Sequence, residues 1–173
     1  MKIIDKINAE AELVERVDAE IALAHKTGAD PPAAKAPYFS FEFFPPKTEA
    51  GTENLYLRMD RMTSLQPIFI DVTWGAGGST KDLTMAISQY SQTYFGVEVL
   101  MHLTCTNLTV DALKEILNAA RAAGIQNILA LRGDPPKGKL NLNMVLLYTV
   151  VVIFPLSAVL DSSGLLLSYP TTS

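Results

Sequence analysis

Between Tyr38 and Asp134, four short apolar runs alternate with three stretches of helical spacing, and each run ends in polar, glycine or proline residues. The runs are Tyr38–Phe43 (YFSFEF), Ile68–Thr73 (IFIDVT), Val97–Thr104 and Gln126–Leu131 (QNILAL), and their length and bounding residues predict strands. Gly51–Leu65 puts Leu55, Met59 and Met62 on one helical stripe. Thr80–Phe95 reads as a helix with Ser79 or Thr80 as N-cap, Asp82 in the first turn and Gly96 as its stop. Val110–Ala123 has Thr109 as N-cap, Asp111 early, Gly124 as stop, and Leu113, Ile116, Leu117 and Ala120 on one face. Four strands separated by three helices form a βαβ series, which requires an α/β fold with a parallel sheet and right-handed crossovers.

In such sheets ligands sit at the carboxyl ends of the strands. Four places follow: Glu42–Lys47, Thr73–Gly78, His102–Thr106 and Arg132–Asp134. Glu42 lies between Phe41, Phe43 and Phe44, so its carboxyl is expected to lose hydration and to serve as a general acid; a solvent-facing strand-end carboxylate is the other reading. Pro45-Pro46 either terminates the strand or fixes a ledge facing a ligand. Gly75–Lys81 follows a strand and opens a helix, but its order fits neither the phosphate-binding loop nor the dinucleotide fingerprint. A tight turn that lets a flat ligand approach the backbone fits better. Trp74 either stacks on a ligand ring or packs in the core. His102, between Met101 and Leu103, is either a satisfied core histidine or a hydrogen-bond partner of a cofactor; with Cys105 alone beside it, it makes no metal site. Arg132 either pairs with Asp134 or leaves both free for a phosphate and an N–H-rich heterocycle.

The flanks differ from this middle. Ile3, Ile7, Val14, Val17 and Ile21 predict an amphipathic helix over about Lys2–Lys26, expected to lie on the surface as an extension. Gly28–Pro37 is a linker stiffened by Pro31, Pro32 and Pro37. After Lys139 no Lys or Arg occurs and Asp161 is the only charge. Met144–Leu160 is uncharged but is interrupted by Pro155, and it is shorter than the about 20 residues a bilayer span needs. A buried apolar segment is the expectation for it, and a membrane tail anchor the second reading. Domains are thus expected at 1–37, 38–138 and 139–173. With 18 acidic against 14 basic residues, no basic face for nucleic acid is expected. The sole cysteine forms no internal disulfide, which points to a reducing, cytoplasmic setting. The acid-rich Met1–Glu20 resembles neither a signal nor a transit peptide.

Four blocks in order, FSFEFFPPK, IDVTWGAGG, MHLTCTN and NILALRGDPP, resemble the methylenetetrahydrofolate reductase family over about Tyr38–Gly138. The resemblance implies a (β/α)8 barrel with FAD at the carboxyl ends of its strands. It implies reduction of 5,10-methylenetetrahydrofolate to 5-methyltetrahydrofolate with NADPH or NADH, a step of one-carbon metabolism that serves methionine synthesis. It implies that Glu42 is the general acid, and that Glu42, Phe43, Phe44, Pro45, Pro46 and Lys47 line the nicotinamide site. Thr73, Trp74, Ala76, His102, Arg132, Gly133 and Asp134 match FAD-contacting positions, with Trp74 where many relatives carry Tyr; Asp134 also matches the holder of the folate pterin. Family members are often homo-oligomers.

From Lys139 onward the resemblance ends. At 173 residues the chain falls short of the about 250 of a complete barrel, and the first four strands and three helices are expected. Such a half-barrel leaves two sheet edges unpaired, so weak FAD binding and no reductase activity are expected of it alone. The alternative function is then a catalytically inactive truncated isoform or a mispredicted gene product. The Gly138-Lys139 codons can contain the GTAA that starts a splice donor, which would make the tail translated intron.

Overall fold

The computed structural model describes residues 2–75, 80–104, 108–131 and the backbone of 152–155. Its order is α1 (Ile3–Thr27), β1 (Ser40–Phe43), α2 (Glu49–Thr63), β2 (Phe69–Val72), α3 (Lys81–Tyr90) continued by a π-helical turn (Ser91–Phe95), β3 (Val99–Thr104), α4 (Val110–Ala122), β4 (Asn127–Leu131) and β5 (Val152–Pro155). Strands β1 to β4 are parallel and neighbours in chain order, as three helical crossovers require. This is the arrangement expected for part of an α/β barrel.

Period-two alternation sorts the strand residues. Phe43, Ile70, Val72, Val99, Met101, Leu103 and Ile128 are buried against Leu55 and Met59 of α2, Ile87 of α3, and Leu113, Ile116, Leu117 and Ala120 of α4. The helix stripes read from the sequence are therefore the faces that cover the sheet. Thr48 and Thr109 cap α2 and α4 by accepting the N–H groups of Gly51 and Ala112. Gly96 and Gly124 follow their helices at φ of +65° and +78°, where a Cβ would be strained. Thr80 departs from expectation: it is the N-cap residue of α3, but its hydroxyl makes no capping bond and accepts the Gly75 N–H at 2.7 Å instead.

The helix expected over Thr80–Phe95 changes pitch after Tyr90. In the π-helical turn, residues five apart align, and Tyr90 meets Phe95 edge to face at 5.3 Å while also lying 4.5 Å from Tyr94 and 4.4 Å from Tyr56. Ser91 donates to the Ile87 carbonyl, and Gln92 accepts the Val99 N–H, so the turn is tied to the start of β3. Burial, and then the neighbouring Tyr90 phenol, raise the Tyr56 pKa above the ordinary tyrosine value.

The N-terminal helix lies on the surface, as its pattern suggested, with only Ile3 and Ala24 buried, but its first turn is docked. Ile3 is buried, and its N–H donates to Asn127 Oδ1 at 2.9 Å, while Lys6 Nζ donates to the Ile68 carbonyl. Both partners stand at the amino ends of strands, so the start of α1 docks on the end of the sheet opposite the expected ligand end. Lys35 of the linker pairs with Glu10 and folds the linker back along α1.

The tail contributes one described element. Its Val152–Pro155 segment is a strand, antiparallel to β4, with Ile128 opposite Phe154 and Ala130 opposite Val152. The β4 edge, expected to be open, is paired. Among the described residues no helix is long and apolar enough to cross a membrane; the rest of Met144–Leu160 and the Gly138-Lys139 junction lie outside them.

Asn127→Ala removes the partner of the buried Ile3 N–H. Urea unfolding should show a loss of about 1–3 kcal/mol, with faster exchange of the Ile3 amide. For Tyr56, folding favours the neutral phenol, so its contribution is complete below the unfolded-state pKa and is lost as pH rises through about 10 toward the higher folded value. Ultraviolet titration should find one phenol ionising late, and Tyr90→Phe should bring it back toward the ordinary value.

Candidate functional site

The face of β1–β3 turned away from the helices is polar. Glu42 of β1 is opposite Asp71 of β2, and Asp71 is opposite Leu100 of β3. His102 stands two residues after Leu100, on the same face. Its Nε2 lies 3.3 Å from Asp71 Oδ1, with side-chain exposures of 11% for His102 and 14% for Asp71. A carboxylate, a second carboxylate and an imidazole therefore run across three adjacent strands. The His102–Asp71 bond fixes one ring nitrogen and leaves the other to face a ligand or a proton donor. His102 is satisfied, as the core reading has it, yet its partner lies on the ligand face.

Thr73 follows β2 on the same face. Its N–H donates to the Phe43 carbonyl at 3.0 Å, which joins the carboxyl ends of β1 and β2. Beyond β1, Phe44 and Lys47 are exposed and Pro45 and Pro46 are half-buried. Pro46 is wedged against α2: a Cβ added at Gly51 would stand 2.9 Å from Pro46 Cβ. The segment that stops the strand is thus packed on the next helix.

Two alternatives left open by the sequence are decided. Glu42 is exposed, not stripped of water, because Phe41 and Phe43 flank it in sequence but point to the opposite face. Trp74 takes the packing alternative: at 7% exposure it belongs to the helix-facing core, and its Nε1 has no partner among the described residues. Asp71 was missed. Its signal was present, since it is the only charged residue in the apolar run IFIDVT. Ala76, Arg132, Gly133 and Asp134, with Cys105, lie outside the described residues.

Parallel βα units with a polar row at the carboxyl ends define an α/β barrel-type domain with its site on the strand-end face. The family model for methylenetetrahydrofolate reductase matches residues 28–146, and the chain belongs to that family. A relative from Arabidopsis thaliana, "Methylenetetrahydrofolate reductase (NADH) 1", is 59% identical over 101 residues, which are 58% of this chain and 17% of that protein. "Methylenetetrahydrofolate reductase 1" of Schizosaccharomyces pombe is 53% identical over 100 residues, 57% of this chain and 17% of the relative. "5,10-methylenetetrahydrofolate reductase" of Escherichia coli is 42% identical over 99 residues, 57% of this chain and 33% of the relative. The chain thus spans less than a fifth of the eukaryotic relatives and a third of the bacterial one.

The Asp71–His102 pair is open to a double-mutant cycle. Unfolding of Asp71→Ala, His102→Ala and the double variant should give a coupling of about 0.5–3 kcal/mol. Additive losses would mean that the two side chains do not interact.

Proposed function

We propose that this chain carries the acid-bearing part of a flavin-dependent methylenetetrahydrofolate reductase site, which reduces 5,10-methylenetetrahydrofolate to 5-methyltetrahydrofolate. The observation that carries the reading is the Glu42–Asp71–His102 row on the strand-end face of a chain that belongs to this family. As the nicotinamide donor, NADH is favoured, since plant relatives carry it in their names. A cytoplasmic setting accords with the single cysteine.

The residues fit a flat, polar-edged cofactor. Thr73 and His102 both stand on the face turned away from the helices, and the helix-facing core side chains, Trp74 included, point to the other face. Thr73 and His102 would hold FAD, joined by Ala76, Arg132, Gly133 and Asp134 of the resemblance. Bound FAD supplies a hydride acceptor and donor between the nicotinamide and the folate. Glu42, exposed at the end of β1, is placed to give a proton to the bridging folate nitrogen. That proton lets the five-membered ring open and leaves the one-carbon unit cationic and ready for hydride. Asp71 holds His102, so the imidazole keeps one orientation beside the reacting groups. Phe44, Pro45, Pro46 and Lys47 offer an exposed ledge for the nicotinamide, and Asp134 is assigned to the pterin.

The second reading, a catalytically inactive product, is favoured by β5. Its antiparallel pairing occupies the β4 edge, where a barrel would continue with a parallel strand. FAD titration of the purified chain, followed by NADH oxidation with menadione and with the folate, separates the two. In the enzyme reading Glu42→Gln keeps menadione-linked oxidation and lowers folate reduction by about 10²–10⁴-fold. A colourless chain that oxidises no NADH supports the inactive product.

A further inference from the structure

At the end of β2, four groups form one hydrogen-bonded chain. Thr84 of α3 is fully buried, at 0% exposure. Its Oγ1 donates to the Thr73 carbonyl at 3.0 Å. That bond uses the one hydroxyl proton of Thr84, so in the 3.1 Å contact between Thr80 Oγ1 and Thr84 Oγ1 the donor is Thr80. Thr80 Oγ1 in turn accepts the Gly75 N–H at 2.7 Å. The order is Gly75 N–H to Thr80 hydroxyl to Thr84 hydroxyl to Thr73 carbonyl, with each hydroxyl donating once and accepting once. The two threonines are one helical turn apart, so they meet the strand end from a single face of α3.

We propose that Thr84 is a positioning residue for the ligand face: it fixes the peptides on both sides of Trp74 and thereby aims Thr73. Thr73 is then held from two directions, by the Phe43 carbonyl on its N–H and by the Thr84 hydroxyl on its own carbonyl. Thr80 serves the strand end and not the start of α3: at φ −117° and ψ 17° its backbone lacks the extended conformation of a side-chain cap, and its hydroxyl accepts from Gly75. The consequence for flavin binding rests on the function proposed above.

The test compares Thr84→Val with Thr84→Ser in the full chain. Valine keeps the branched shape but deletes the donor and leaves the Thr73 carbonyl and the Thr80 hydroxyl without their partner. Serine keeps the hydroxyl. In Thr84→Val the Gly75 amide should exchange about tenfold faster or more, while the Ile70 amide, bonded to the Glu98 carbonyl within the sheet, stays unchanged. The FAD dissociation constant, read by quenching of flavin fluorescence, should rise about tenfold. Thr84→Ser should restore both. A purely structural role would instead speed all sheet amides together, and that result overturns the proposal, as does unchanged Gly75 exchange or unchanged FAD affinity in Thr84→Val. If Thr84→Val does not fold, Thr80→Val carries the same two readouts with the same criteria. If the unsubstituted chain binds no FAD, the flavin reading fails, and Gly75 exchange against Ile70 exchange alone decides the placement of Thr84.

Discussion

Alternation along β1–β4 is the constraint on which both the core and the site depend. A strand sends successive side chains to opposite faces, and a one-residue slip exchanges the faces. Here the helix-facing set includes Ile70, Val72, Val99, Met101 and Leu103, all buried against three helices. Slipping β2 by one residue would drive Asp71 into that layer and expose Ile70 and Val72. Burying an unpaired carboxylate costs several kcal/mol, and each lost aliphatic burial costs about 1.5–3 kcal/mol. The packing of the core therefore fixes the register, and the register places Glu42 beside Asp71 and His102 within reach of it. The site row is a by-product of hydrophobic order on the other face.

The strand ends are held by different means at the two poles. At the amino ends, α1 uses a backbone donor: the Ile3 N–H on Asn127, with Asn127 Nδ2 reaching the Val99 carbonyl at 3.5 Å. This joins the chain start to β4 and β3. At the carboxyl ends, peptide groups that would run out of ladder partners are taken up by side chains and by neighbouring strands, as at Thr73. Unsatisfied backbone groups near a site would otherwise admit water or let the rim drift. Rigidity at the carboxyl end is thus local and polar, whereas rigidity at the core is collective and apolar.

Much of this was legible in the sequence. The four strand positions follow from short apolar runs, and the three crossover helices from stripes such as Leu113, Ile116, Leu117 and Ala120. Thr109 and Gly124 act at the helix ends as their residue types suggest. The failures share a cause, which is that neighbours in sequence are not neighbours in space. Glu42 looked buried because its flanking phenylalanines were counted, although alternation turns them away from it. Asp71 was passed over inside an apolar run, since its partner His102 is 31 residues distant. The docking of Ile3 depends on an asparagine 124 residues away, which no local periodicity encodes. The π-helical turn accompanies a four-ring aromatic cluster that draws on α2 as well as α3, a contact no local pattern encodes.

The β4 edge poses a competition. A strand edge presents one row of N–H and C=O groups, and each can serve one neighbour at a time. In the register found, Leu129 faces Ile153 and Asn127 faces Pro155, antiparallel. Proline has no N–H to give, so Pro155 can serve this ladder only through its carbonyl. A barrel needs a parallel neighbour on those same groups, which means that the β5 pairing and barrel continuation exclude each other at this edge. The pairing has a benefit of its own, since it protects an edge that would otherwise invite aggregation. Which neighbour holds the β4 edge therefore decides whether the row on β1–β3 stands on an open sheet or inside a closed barrel, and only the latter excludes water from both sides of the row.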